Sequence, residues 1–203
     1  MRNHGLGLTL LLAALMIQGG CGRGSEQKHK ERVAVEDSTA GRPESVYHSR
    51  EGRFEIVWPE GCSRIRIRTQ PYGATDSSAK LTRVQVWCDR EDHEGEGASV
   101  VTYFDLKDDF GSPATPRTVI ELVKDVMQTM GVEISSQRAI KRGALEGIDV
   151  RCSEPNSTGT VWIEAFLLGS TAYIVSAWRG DGNLFDDPLY IRMFDSFRAT
   201  GEG

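Results

Sequence analysis

The densest set of ligand-type side chains in this 203-residue chain is Asp89, Glu91, Asp92, His93, Glu94 and Glu96. Carboxylates with an imidazole could hold a divalent cation, because hard cations take several oxygen ligands. Asp89, Asp92, His93 and Glu94 would be its ligands. Their spacing follows no known ion-binding loop, and a solvated hairpin tip kept soluble by its charges accounts for the same residues. Asp181, Asn183, Asp186 and Asp187 make a second acidic turn, without the pattern or closing glutamate of a calcium loop. Asp187 reads better as a helix N-cap and Asp186 as a complement to the helix dipole. Arg179-Gly180-Asp181 is composed of ordinary turn residues. A third cluster is basic: Arg64, Arg66 and Arg68 alternate with Ile65 and Ile67 and would share one strand face. With Trp87 facing outward and Tyr72 close by, that face could meet an anionic partner or acidic lipid head groups. Charges on an edge strand also discourage aggregation, which is the plainer account of the same row.

Several function classes are disfavoured. His93 is the one histidine after Arg53, and no Gly-x-Ser-x-Gly elbow precedes a helix, so nucleophilic catalysis of the Ser/His/Asp kind is not expected. No cysteine pair has Cys-x-x-Cys spacing, which argues against a zinc site or a thioredoxin-type centre. A formal net charge of −5 lacks the basic footprint of a nucleic-acid binder. The expectation is a non-enzyme without a cofactor.

The N-terminus carries an address. A basic start, an apolar run from Gly5 to Ile17 and small residues before a cut site make a secretory signal over residues 1–20. The run is shorter than the roughly 20 apolar residues that cross a bilayer. Gly19, Gly20 and Cys21 resemble the processing site of a bacterial lipoprotein signal, with Gln18 where the usual pattern has leucine or another aliphatic residue. The resemblance implies cleavage before Cys21, a diacylglycerol on its sulfur, and anchoring to the cell membrane or the outer membrane. Residues 21–51 mix charges of both signs with few apolar groups, and such a segment cannot bury enough surface to offset its ordering entropy. They read as a tether reaching about 30 Å from the lipid.

Residues 52–200 read as one folded domain. Phe54, Ile56 and Trp58 mark a first strand ended by Pro59. Ile65 and Ile67 mark a second. Val84, Val86 and Cys88 mark a third, which a hairpin loop joins to a strand over 98–106. Thr115 caps a helix opened by Pro116, with Val119, Leu122, Val123, Val126 and Met130 on its apolar stripe. A polar-mixed strand over 132–140 suits a sheet edge. Ile148, Val150 and Cys152 share one face of the next strand, and the apolar runs 160–168 and 171–178 complete a meander. Asp187 and Pro188 open a last helix with Tyr190, Ile191, Phe194 and Phe197 on one side.

The opening Phe54-x-Ile56-x-x-Pro59 strand, the Tyr173-Ile174-Val175 core strand and the closing Phe194-Asp-Ser-Phe197 helix together resemble the PsbP-like fold. That fold is shared by the photosystem II extrinsic protein, a Ran-binding nuclear import factor and many small bacterial lipoproteins. The resemblance implies an α+β domain, an antiparallel β-sheet flanked by two main α-helices in αβα layers, and a binding or assembly role without catalytic residues. It therefore points to an envelope protein partner. Export into oxidising surroundings favours a disulfide. With Cys21 lipidated, Cys62, Cys88 and Cys152 allow three single bonds; Cys62–Cys88, both in the first half of the sheet, is preferred, leaving Cys152 as a small buried hydrophobe.

Overall fold

A computed structural model describes residues 46–72, 81–90, 97–106, 115–130, 132–153, 158–180 and 182–200. In chain order the strands are β1 (Val46–Ser49), β2 (Phe54–Val57), β3 (Cys62–Tyr72), β4 (Leu81–Arg90) and β5 (Gly97–Asp105). Helix α1 (Pro116–Met130) follows, then β6 (Glu133–Arg142), β7 (Leu145–Ser153), β8 (Thr160–Leu168) and β9 (Thr171–Arg179). Helix α2 (Pro188–Ser196) and β10 (Arg198–Ala199) close the chain. Seven strands form one antiparallel sheet in the order β3-β4-β5-β9-β8-β7-β6, and a three-stranded sheet has the order β1-β2-β10.

The strands that the alternating patterns mark are all present, as are both helices. The fold class is different. The expected α+β arrangement, a sheet flanked by two main helices in PsbP-like αβα layers, is corrected to a mainly β fold, with ten strands and two helices among the described residues. Only α1 covers a face of the large sheet alone, with its main contacts on β7 and β8. The opposite face is closed by a second sheet together with α2, whose main contacts are to β2. β2, the middle strand of this second sheet, is the one that Phe54 and Ile56 mark; its partners β1 and β10 are too short to announce themselves. β10 has two residues, and β1 buries only Tyr47 and Ser49 from a stretch whose composition suggests a tether.

Two apolar cores sit on the two faces of the large sheet. On the first, Val119, Val123 and Met127 of α1 recur every fourth residue and are buried against Val150, Val161, Ile163 and Ile174. Thr115 caps this helix, its hydroxyl accepting from Thr118 N at 3.4 Å. On the second face Phe54, Ile56, Phe166, Tyr173, Phe194 and Phe197 are buried together. Phe197 stacks on Phe166 at 5.6 Å between ring centroids, and Trp162 stacks on Phe194 at 4.1 Å. Offset stacks of this kind add about 0.5–1.5 kcal/mol each beyond their buried area. Gly147 makes the Phe166 contact feasible: a Cβ there would collide with the Ala165 carbonyl oxygen and the Phe166 ring. Ser196 ties α2 to the small sheet, its hydroxyl accepting from Val57 N at 2.8 Å and donating to Met193 O at 2.7 Å.

The turn from β1 to β2 is held from three sides. Ser49 Oγ accepts from Gly52 N at 3.0 Å, and Tyr173 Oη donates to Gly52 O at 3.0 Å. Thr200 N donates to Arg53 O at 2.7 Å. Arg53 itself sits at φ 51°, a left-handed conformation uncommon outside glycine, and these bonds hold it there.

Candidate functional site

β3 ends the large sheet, and among the described residues β4 is its one strand neighbour. The antiparallel register sets Arg64 opposite Asp89, Arg66 opposite Trp87 and Arg68 opposite Gln85. Alternation then does what the sequence pattern requires. Ile65 is buried on the second core, whereas Arg64 and Arg66 are exposed on the other face, with Arg68 and Trp87 half-buried beside them. This is the face that α1 covers further along, at β7 and β8. The four residues of the predicted partner surface thus share one corner of the sheet. Gln85 lies in the same corner, 6% exposed, and its Oε1 accepts no hydrogen bond among the described residues.

A disulfide joins Cys62 of β3 to Cys88 of β4 across a Cα–Cα distance of 5.5 Å. It closes beside the register shift between Cys62 and Arg64, where the ladder alone is weakest. The preferred pairing is therefore the observed one. Cys152 is the free, buried cysteine; its thiol donates to Met127 Sδ at 3.2 Å, and burial pushes its pKa up to about 11. A thiol so reluctant to ionise is packing material and not a nucleophile.

A second constellation lies on the opposite face, at the other end of the sheet, and residue order alone does not reveal it. Asp149 of β7 and Glu164 of β8 stand directly opposite each other, each side chain 1% exposed. Like charges so placed repel, and burial makes both costly. Three arginines answer them. Arg142 forks onto Glu164 with Nη2 at 2.7 Å and Nε at 2.9 Å, and its Nη1 reaches Asp195 of α2 at 2.7 Å. Arg138 Nε donates to Asp149 Oδ2 at 2.7 Å, with Arg151 Nε 3.6 Å from the same oxygen. The Arg151 guanidinium also lies over Trp162 at 4.7 Å and Phe185 at 5.1 Å. Burial raises the Glu164 pKa above the usual carboxylate range, and the Arg142 fork opposes that rise. No nucleophile takes part in this network. It clamps β6 to β7, β8 and α2. The available signal was Glu164 itself, a lone charge in the apolar run Thr160–Leu168, where both strand faces are buried.

Asp92, His93 and Glu94 of the acidic loop lie outside the described residues, as do Cys21, the signal segment and the tether up to residue 45. Asp89 is placed on β4 opposite Arg64. No group of three metal-ligating side chains occurs among the described residues. Asp187 is the N-cap of α2, accepting from Leu189 N at 2.9 Å, and its second oxygen meets Arg179 at 3.2 Å. Asn183 Nδ2 donates to Asp186 Oδ2 at 2.8 Å, so this turn is occupied by its own hydrogen bonds. Among the described residues no helix is long and apolar enough to cross a membrane. No protein-family model, curated protein or solved structure matches the chain.

Proposed function

We propose that the protein is a lipid-anchored bacterial envelope protein that docks an acidic partner protein through the β3–β4 corner. Cys21 would carry the lipid, and the segment after it would hold the domain clear of the head groups. The observation that supports docking is the corner itself: exposed Arg64 and Arg66 at alternate positions of β3, with half-buried Trp87 directly opposite Arg66. Arginine and tryptophan are the residue types that carry interface energy most often. Arginine forks suit carboxylates in particular. The reading is of a presenting module: it assigns no reaction and no cofactor.

Crosslinking the full chain in its native membranes tests this. The wild-type chain captures a specific acidic protein, and Arg64→Gln with Arg66→Gln loses it at an unchanged melting temperature. Capture that persists in that variant overturns the assignment of the face. Mass spectrometry of the mature chain tests the anchor, through a diacylglycerol on an N-terminal Cys21 and release of Cys21→Ser from the membrane fraction. An unmodified Cys21 would remove the lipid from the proposal.

A further inference from the structure

We propose that the turn carrying Arg53 is a strained catch, through which Tyr173 of the large sheet and Thr200 near the end of the chain set how firmly β1 is seated. β1 is the first strand of the described residues, so the catch governs how the chain enters the fold. A left-handed residue other than glycine bears a steric cost that it loses on returning to a right-handed or extended conformation. Glycine would remove that cost at position 53, yet the glycine of this turn stands at 52. Crowding explains its place: a Cβ on Gly52 would come 2.8 Å from Ser49 Oγ and 2.7 Å from the Phe54 ring. Arg53, at φ 51°, keeps its strain and is held by the hydrogen bonds around it.

Two of those bonds do not touch β1. Tyr173 Oη donates to Gly52 O from β9, and Thr200 N donates to Arg53 O from beyond β10. The Tyr173 ring is 1% exposed and meets Phe54 edge-on at 6.5 Å, so the core holds its hydroxyl in place. Thr200 follows Ala199, which pairs with Phe54 of β2. The third bond, from Gly52 N to Ser49 Oγ, ties the turn to β1 itself. When Tyr173 or Thr200 lets go, the strain at Arg53 is opposed by one bond fewer. Arg53 then relaxes, the peptide between Gly52 and Arg53 rotates, and Ser49 loses its place opposite Phe54. β1 is four residues long and buries Tyr47 and Ser49, so displacing Ser49 removes one of its two buried anchors. The pairing of Arg198 and Ala199 with β2 lies outside the turn and persists. The coupling works in both directions: a freed β1 weakens the Thr200 bond by the factor that a freed Thr200 weakens β1.

The test is native-state amide exchange, followed by NMR on the full chain in detergent. In the wild type the β1 amides should exchange faster than those of β8, as a unit that opens by itself. Tyr173→Phe and Thr200→Pro each remove one bond that β1 does not make. Each should speed β1 exchange about three- to tenfold, as the net contribution of one hydrogen bond implies. Arg53→Gly relieves the strain and should slow β1 exchange about threefold or more. Arg53→Ala keeps the Cβ and loses the guanidinium, so it should leave β1 near the wild-type rate. Arg53→Gly with Tyr173→Phe should fall between the two single variants, glycine offsetting the lost bond. Equal rates for β1 and β8 would mean that β1 has no opening of its own, and the catch falls. It falls too if β1 ignores both Tyr173→Phe and Thr200→Pro, because β1 then opens with the turn intact. Slowing by Arg53→Ala as large as that by Arg53→Gly would trace the effect to the side chain and overturn the role of strain.

Discussion

The two edges of the seven-stranded sheet use arginine in opposite ways. At β3, Arg64 and Arg66 are exposed, and the strand is fastened to β4 by a disulfide. At β6, Arg138 and Arg142 are themselves the fastening, reaching Asp149 and Glu164 on the strands inside them. Register decides between the two fates. Arg142 points to the face where Glu164 is already buried, so turning it outward would leave that carboxyl group without its partner. Arg66 has Trp87 opposite and faces the side that α1 covers mainly at β7 and β8. The β6 edge is tied inward by guanidinium groups on buried carboxylates, whereas the β3 edge is joined to its neighbour covalently.

The contrast can be broken most strongly at Arg142. Arg142→Ala strands Glu164 in an apolar setting, and removing one partner of a buried pair costs about 3–5 kcal/mol. Urea unfolding should show that loss, whereas a loss below about 1 kcal/mol would mean that solvent reaches Glu164. At the opposite edge, Cys62→Ser with Cys88→Ser reopens a loop whose ends are 26 residues apart. The chain-entropy model puts that at about 3–4 kcal/mol. Differential scanning calorimetry should find it as a lower melting temperature that a reductant reproduces in the wild type. Insensitivity to reductant would show that the ladder alone secures β3.

A finer test concerns pH. The Glu164 carboxyl is raised in the folded chain, so the folded state keeps that proton after the unfolded chain has released it. Its contribution is therefore fully present below the unfolded value of about 4.3. It is lost as pH rises through the raised folded value. Relative to Glu164→Gln, the wild type should lose stability as pH rises across that window. A wild-type-minus-variant difference that is flat with pH would show that Arg142 cancels the effect of burial. The smallest expected effect is that of Arg64→Gln with Arg66→Gln on stability, within about 0.5 kcal/mol, as for surface positions generally. A larger loss would make the row structural and erase the difference between the edges.

These contrasts also explain what could be read from residue order alone. Phe54 and Ile56, the β4–β5 strand pair and the Thr115 and Asp187 caps are local patterns, and the structure has them all; the Cys62–Cys88 bond is the pairing preferred among three. The second sheet was not legible. Of its outer strands β1 buries only Tyr47 and Ser49 and β10 buries none, and the core over Phe54 is completed by Phe197 and Tyr173, which are distant in sequence. The Asp149–Glu164 pair was hidden for a related reason. Glu164 stands out as a lone charge in an apolar run, but its partner Asp149 shows only when β7 and β8 are set side by side. The arginine row was legible because alternation along one strand is enough to define its face. The pairing of Arg142 needs three elements at once.

One feature of the small sheet bears on mechanics. β1 and β2 are antiparallel, with Val46 beside Val57 at the end away from the turn. Tension arriving from the N-terminal side is delivered at Val46, where it meets the hairpin at its open end. The bonds of β1 are then loaded one after another instead of together, so this four-residue strand unzips at low force. The seven-stranded sheet, loaded only after β1 has gone, is spared. β1 would act as a fuse that gives first and re-forms when the pull stops, because its partner β2 stays pinned by β10 and α2.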